Sequence, residues 1–160
     1  SLYGRTKVEA EADVLASPNA ITLRLATVFG TSPRMRLDLL VNDLTYRAYS
    51  DRFIVLFESH FKRNFLHVRD VARAFLHTID NFEAMKRQIY NVGLSDANLS
   101  KLELCQRIAG TSLEPEMAPP RAGEVQRSVL DPSRAVDELE WRPERSLEDG
   151  LRETWEFFKG

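Results

Sequence analysis

Segments typical of strands alternate with segments typical of helices along this chain of 160 residues. Residues 2–16 contain strong helix formers, and Pro18 follows them and stops the helix. Residues 20–28 are rich in the β-branched residues typical of strands. The pattern predicts further helices over 36–49, 70–82 and 101–109, and strands over 53–57, 64–68, 88–92, 113–117 and 126–130. Alternating strands and helices predict an α/β fold.

Capping residues mark where the helices of the second half begin. Ser100 and Glu103 form a capping-box pattern, and Gly110 is placed to end the helix that they open. Asp131 precedes a proline, which predicts a short helix with Asp131 as its N-cap. Ser146 predicts the start of the terminal helix.

The composition excludes several classes of protein. Hydrophobic residues make up 43% and charged residues 29% of the chain, as in ordinary globular proteins. The formal net charge of −2 gives no support to a nucleic-acid partner. Cys105 is the only cysteine, which excludes an internal disulfide and fits a reducing compartment. Because no apolar run approaches the roughly 20 residues of a membrane helix, we expect a cytoplasmic domain, or part of one, that binds no membrane.

Several other residues are explained by the fold alone. The histidines at 60, 67 and 77 share no metal-ligand spacing, so we expect no metal site. We expect His67 to pack or hydrogen-bond at a strand-to-helix junction, and Asp70 to cap the helix that follows it. Three further residues are expected in the hydrophobic core: Cys105, Trp141 and Trp155.

Tyr3 and Lys7 are the first candidates for catalysis. A spacing of four residues places both side chains on one face of a helix. A free phenol ionises only near pH 10, so a phenolate base at neutral pH needs a nearby cation such as a lysine. Taken alone, the pair is better explained as part of a solvated helix face.

Tyr3 and Lys7 belong to a set of motifs that occur together. These are Tyr-Gly-Arg-Thr-Lys at 3–7, Leu-Arg-Leu-Ala-Thr-Val-Phe-Gly at 23–30, Arg-Asn-Phe-Leu-His-Val-Arg-Asp-Val-Ala at 63–72, Tyr-Asn-Val-Gly at 90–93, and Arg-Ala-Gly-Glu at 121–124 followed by Asp-Pro-Ser-Arg at 131–134 and Leu-Glu-Trp-Arg-Pro at 139–143. In this order and spacing they resemble the NAD-dependent epimerase/dehydratase family. That family comprises extended short-chain dehydrogenases/reductases that act on nucleotide sugars, including enzymes similar to UDP-glucose 4-epimerase. The resemblance covers essentially the whole chain.

The resemblance implies a fold and a division of the chain. We expect the second part of a Rossmann-type parallel sheet plus a small α/β substrate-binding domain. Residues 1–30 would end the NAD-binding domain with the catalytic helix and its following strand. Residues 31–160 would mainly bind substrate, with about 63–93 returning to the Rossmann sheet.

The resemblance also implies the chemistry of the site. Tyr3 would be the acid/base that works on a sugar hydroxyl, and Lys7 would stabilise the phenolate and hold the nicotinamide ribose. The cofactor would be NAD or NADP, and it carries the redox chemistry. The reaction would be hydride transfer at a sugar carbon, leading to epimerisation or to loss of water.

The expected substrate is a nucleotide-diphosphate sugar. Guanidinium groups bind diphosphate oxygens well, and Arg63 and Arg121 stand where the family binds them. Glu124 would lie near the nucleotide ribose. Thr27 stands where many relatives have a substrate-binding asparagine. Two arginines in the loop after that strand are further candidate contacts, Arg34 and Arg36.

No Gly-x-Gly-x-x-Gly cluster occurs among the seven glycines. The family's glycine-rich turn lies upstream of its tyrosine motif, so we expect these 160 residues alone to be inactive and to bind NAD weakly or not at all. A non-catalytic module on the same scaffold, which binds a nucleotide sugar or a protein, is the alternative. We also expect a homodimer or higher oligomer through the helix face of Val8, Ala12 and Leu15.

Overall fold

The computed structural model describes residues 1–110 and 131–159. Its helices are α1 Leu2–Leu15, α2 Leu40–Ser50, α3 Val68–Asp80, α4 Phe82–Met85, α5 Lys101–Ala109, α6 Ser133–Leu139 and α7 Leu147–Lys159. Its strands are β1 Thr22–Leu25, β2 Thr27–Phe29, β3 Lys62–His67, β4 Ile89–Val92 and β5 Asn98–Ser100. The predicted α/β class is confirmed. The strands expected at 113–117 and 126–130 lie outside the described residues.

The strand predicted over 20–28 is divided at Ala26, where it changes its neighbour. β1 pairs in parallel with β4, Thr22 opposite Ile89, whereas β2 pairs in parallel with β3, Thr27 opposite Phe65. Ala26 donates its N–H to the carbonyl of Val92 at 2.9 Å, which closes the first pairing. Beyond its parallel segment, β3 pairs antiparallel with β5.

Two hydrophobic cores lie on opposite faces of β3. Phe65 and Leu66 are both fully buried but belong to different cores, because consecutive strand residues face opposite sides of a sheet. One core is formed with α2, α5 and α7 and includes Cys105, and the other is formed with α3, α6 and β4 and includes Trp141. Cys105 and Trp141 are therefore in the core, as predicted, whereas Trp155 is half-buried against Tyr49.

The caps predicted at Ser100, Gly110 and Ser146 are confirmed, whereas α6 begins one residue later than predicted, with Pro132 rather than Asp131 as its N-cap. The Ser100 hydroxyl accepts the N–H of Glu103, whose carboxylate accepts the N–H of Ser100 in return. Gly110 ends that helix in the left-handed conformation, at φ +65°. The Ser146 hydroxyl likewise accepts the N–H of Asp149 before α7. Each of these bonds joins residues three apart, so local sequence specifies it.

Two sequence-based expectations were wrong in extent. Residues 53–56 have no regular structure, and Phe57 makes only an isolated bridge, although a strand was predicted there. Phe53 is 66% exposed and Leu56 5% exposed, so the predicted inside–outside alternation is present, although no ladder joins these residues to another part of 1–110 or 131–159. The helix predicted from residue 36 begins at Leu40 instead. The predicted domain division at residue 30 stays a prediction.

Candidate functional site

Tyr3 and Lys7 lie in the first two turns of α1, on one side of a groove. The Ser1 hydroxyl caps this helix by accepting the N–H of Gly4 at 3.1 Å. The Lys7 ammonium lies 5.6 Å from the centre of the Tyr3 ring. Tyr3 is 72% exposed, and the groove, about 1040 Å³ in volume, opens between α1, β1 and α3. The pair therefore has the geometry expected of it, on a surface open to solvent.

A bidentate ion pair joins α1, the helix of Tyr3 and Lys7, to the sheet. Arg24 of β1 donates to both carboxylate oxygens of Glu11, at 2.9 and 2.6 Å. This hydrogen bonding holds the pKa of Glu11 below its ordinary value. Because the Arg24 side chain is half exposed, the pair contributes at most about 1 kcal/mol. It joins α1 to β1.

Two of the predicted substrate contacts, Thr27 and Arg63, lie on adjacent strands. Thr27 is half-buried and stands opposite Phe65, two residues along β3 from Arg63. Arg63 is half-buried and donates from Nη1 to the carbonyl of Lys62 at 2.9 Å. Two further predicted contacts, Arg121 and Glu124, lie outside the described residues.

The segment after β2, residues 30–36, is tied to two helices; we refer to it as the 30–36 loop. The Asn42 side chain of α2 accepts the N–H of Gly30 at 3.1 Å and donates to the carbonyl of Arg36 at 3.0 Å. The Thr31 hydroxyl donates to Glu153 of α7 at 2.7 Å. Sequence reasoning missed Asn42 and Glu153, because nothing local distinguishes an inward-facing amide or carboxylate on a helix.

Glu153 is the centre of an ion-pair cluster that reaches a buried histidine. Arg69 lies 3.1 Å and Arg145 3.6 Å from its carboxylate. Burial opposes ionisation of Glu153, but the Thr31 hydroxyl and the neighbouring His67, Arg69 and Arg145 outweigh it and hold its pKa below the ordinary value. Three chain segments that are distant in sequence, at residues 31, 67–69 and 145–153, therefore meet at one carboxylate.

His67 lies at the junction of β3 and α3, fully buried, as the sequence predicted. Its Nδ1 accepts the N–H of Arg69 at 3.3 Å and so caps α3. In the neutral ring Nε2 therefore carries the proton, and it lies 3.8 Å from a Glu153 oxygen. Burial lowers the pKa of His67, with Arg145 and Arg69 acting in the same direction and Glu153 and Asp70 opposing.

The buried His67 should make stability depend on pH below about 6.5. Its pKa is lower in the folded than in the unfolded chain, so the unfolded chain binds more protons, and stability falls as pH falls from about 6.5. Replacing His67 by Asn, which also caps helices, should flatten the profile by up to about 1.4 kcal/mol per pH unit. Urea unfolding between pH 7 and pH 5 measures this. Parallel profiles for the parent and His67→Asn would contradict it.

Asp70 does not cap its own helix, contrary to the sequence-based expectation; His67 takes that position. Asp70 is fully buried, and its two carboxylate oxygens accept the backbone N–H groups of Glu144 and Arg145 at 3.0 and 3.1 Å. Arg73 pairs with the same carboxylate and with Glu144. Asp70 thereby anchors the turn that leads into α7.

Replacing Asp70 by Asn should destabilise the chain by about 2–4 kcal/mol. The amide leaves one buried N–H without an acceptor and removes the counter-charge of Arg73. Asp38→Asn is the matched control, because its ion pair with Arg36 is 65% exposed on both sides and its loss should cost little. Urea unfolding of both variants measures the difference, and equal losses would count against the anchoring role.

The other titratable groups give no second site among the described residues. Burial raises the pKa of the Cys105 thiol to about 12, so it is not a nucleophile at neutral pH. Residues 1–110 and 131–159 contain no group of three side chains that could hold a metal ion. In the same two ranges no helix is long and apolar enough to cross a membrane.

Comparison with known proteins yields matches to one family. The family model described as the NAD dependent epimerase/dehydratase family matches residues 1–93, more than half of the chain. The UDP-glucose 4-epimerase of Mycolicibacterium smegmatis is 39% identical over 100 residues, which are 61% of this chain and 31% of that protein. The chain thus spans about a third of this curated relative.

Solved structures give the same result for the fold. The UDP-glucose 4-epimerase of Thermotoga maritima, solved with UDP-glucose, is 32% identical, with a TM-score of 0.71 over 86% of this chain and 45% of that one. The UDP-glucose 4-epimerase of Thermus thermophilus, solved with NAD, is 27% identical, with a TM-score of 0.69 over 89% and 47%. The described residues therefore resemble roughly half of a Rossmann-like enzyme.

Proposed function

The chain belongs to the NAD-dependent epimerase/dehydratase family, and on that premise we propose that it supplies the acid/base helix and much of the substrate site of a nucleotide-sugar epimerase or dehydratase. One observation carries the proposal. Within the segment that matches the family, Tyr3 and Lys7 stand one helical turn apart at the rim of a groove, with the ammonium 5.6 Å from the phenol ring.

In this proposal Tyr3 exchanges a proton with a sugar hydroxyl through its phenol oxygen. Lys7 stabilises the phenolate by its charge and donates a hydrogen bond to a ribose hydroxyl. The NAD of the family supplies the hydride acceptor when it is bound. Both side chains are open to water in the described residues, which weakens their mutual field, so bound substrate must exclude water for the pair to act.

The residues of this chain fit only one end of a dinucleotide. Tyr3 and Lys7 suit a nicotinamide ribose, but the sequence contains no Gly-x-Gly-x-x-Gly turn for the pyrophosphate. We therefore expect residues 1–160 alone to show no micromolar affinity for NAD in titration calorimetry. Micromolar binding would overturn this expectation and require another phosphate site within the chain.

We propose a nucleoside-diphosphate sugar as substrate, with UDP-sugars the first to test. Arg63 and Arg121 would pair with the diphosphate, and Glu124 would lie near the nucleotide ribose. Thr27 would contact the sugar. The adjacent-strand placement of Thr27 and Arg63 supports the two contacts that the structure describes, and the UDP-glucose complex of the Thermotoga relative supports the nucleotide.

The direct test is conversion of UDP-glucose by the complete natural protein. We expect the C4 epimer or a dehydrated product when NAD is supplied. Nuclear magnetic resonance of the sugar protons detects either product. Binding of UDP-sugars without any conversion would favour the non-catalytic module. If the protein neither binds nor converts UDP-glucose, UDP-glucuronic acid or dTDP-glucose, the proposed substrate class is wrong.

We also propose that the protein associates through α1 as a homodimer or higher oligomer in the cytoplasm. α1 has no buried residue, and Val8 and Ala12 of the predicted face are exposed, while Leu15 is half-buried. Light scattering of the complete natural protein tests the association, and a monomer at high concentration would contradict it.

A further inference from the structure

Asn42 makes contacts that α2 itself does not require. Its side chain is 1% exposed and lies beside the fully buried Val41. A buried amide is costly unless its hydrogen bonds are made. Both side-chain bonds of Asn42 go to the 30–36 loop, to Gly30 at one end and Arg36 at the other. One amide therefore closes a seven-residue segment at both ends.

The same loop has a second attachment and carries an exposed arginine. Thr31 is held by Glu153 of α7 at 2.7 Å. Arg34, between the anchored residues, is exposed and makes no hydrogen bond or ion pair with residues 1–110 or 131–159. The loop follows directly from β2, which carries Thr27. The loop is thus tied to α2 through its backbone and to α7 through the Thr31 side chain, at the end of a strand that bears a proposed substrate contact.

We propose that Asn42 is a positioning residue that holds the 30–36 loop in the conformation that binds the nucleotide sugar. This inference rests on the proposed function, and Asn42 itself touches no substrate in it. A loop that is ordered before binding loses less conformational entropy when the ligand arrives, so affinity is higher. Loss of the amide should weaken substrate binding more than it slows the chemical step, which belongs to Tyr3.

Thr45 offers a matched control on the same helix. It is also 1% exposed, and its hydroxyl donates to the Val41 carbonyl within α2. Thr45→Val therefore removes a buried polar group without touching the loop. Asn42→Asp is a second test variant, since it keeps the acceptor for Gly30 and removes the donor to Arg36.

The first measurement is trypsin cleavage after Arg34 in the complete natural protein, with the fragments identified by mass. We expect Asn42→Ala to be cut there about tenfold or more faster than Thr45→Val, because the freed loop reaches the protease more often. Asn42→Asp should lie between the two, and it takes the place of Asn42→Ala if that variant does not fold. Equal rates for the Asn42 and Thr45 variants would overturn the inference.

The second measurement separates this inference from the proposed function. We expect the Kd for UDP-glucose to rise about tenfold in Asn42→Ala with kcat nearly unchanged, and to stay near the parent value in Thr45→Val. If the parent binds UDP-glucose and Asn42→Ala binds it with the same Kd, the inference is overturned and the proposed function stands. A parent that binds no nucleotide sugar overturns the proposed function and the inference with it.

Discussion

Replacing Tyr3 by Phe in the complete natural protein is expected to lower kcat by about 10²–10⁴-fold, the usual contribution of a positioned acid/base. The substitution removes only the phenol oxygen. Tyr3 is 72% exposed, so this oxygen supports no buried contact, and the ring can keep its place beside Lys7. Steady-state turnover of UDP-glucose measures the effect, and circular dichroism shows that the fold is retained.

Tyr46→Phe is the control for the loss of a phenol oxygen as such. Tyr46 is 41% exposed on α2, and its ring packs edge-on against Phe158 with the centroids 5.3 Å apart. It lies on a different helix from the groove that Tyr3 lines. We expect this variant to turn over like the parent. If Tyr3→Phe also keeps full turnover, the acid/base assignment of Tyr3 is wrong.

Replacing Gly30 by Ala is expected to destabilise the fold by about 3–5 kcal/mol. Gly30 has φ +112°, a backbone conformation that residues other than glycine rarely adopt. An added Cβ would lie 2.4 Å from Nε2 of His67. The His67 ring has little room to withdraw. It is fully buried, lies edge-on to Phe29, and has Gly150 packed against its Cδ2 side.

Gly110→Ala separates the backbone cost from the steric cost. Gly110 also has positive φ, +65°, but no atom of residues 1–110 or 131–159 lies within 4 Å of an added Cβ. We expect it to lose only about 1–2 kcal/mol. Chemical denaturation of both variants gives the two values. Similar losses of stability would mean that the His67 ring moves aside with no change in the free energy of unfolding. The packing around it would then be looser than the distances imply.

Local chemistry determined several helix caps and the placement of Tyr3 beside Lys7. The caps at Ser100, Gly110 and Ser146 were predictable because their bonds span a few residues and depend on residue type alone. The relation of Tyr3 to Lys7 was predictable for the same reason, since one helical turn fixes it.

Contacts with residues distant in sequence decided the strand pairing and the partners of buried polar side chains. Residues 53–57 have the alternation of a strand, but a strand also needs a neighbour for its hydrogen bonds, which alternation does not specify. Residue 26 divides one predicted strand because different neighbours flank its two halves. Asp70 has the residue type and position of a cap, yet its acceptors are occupied by the N–H groups of residues 144 and 145.

The α/β class, the caps at Ser100, Gly110 and Ser146 and the spacing of Tyr3 and Lys7 could therefore be predicted from the order of the residues. That Asn42 closes the 30–36 loop and that Glu153 joins it to α7 became known only from the folded arrangement. The physical reason is the range of the interactions. A cap or a helical pair is specified by residues within one turn, whereas a buried amide or carboxylate takes whatever donors the packing of distant segments brings to it.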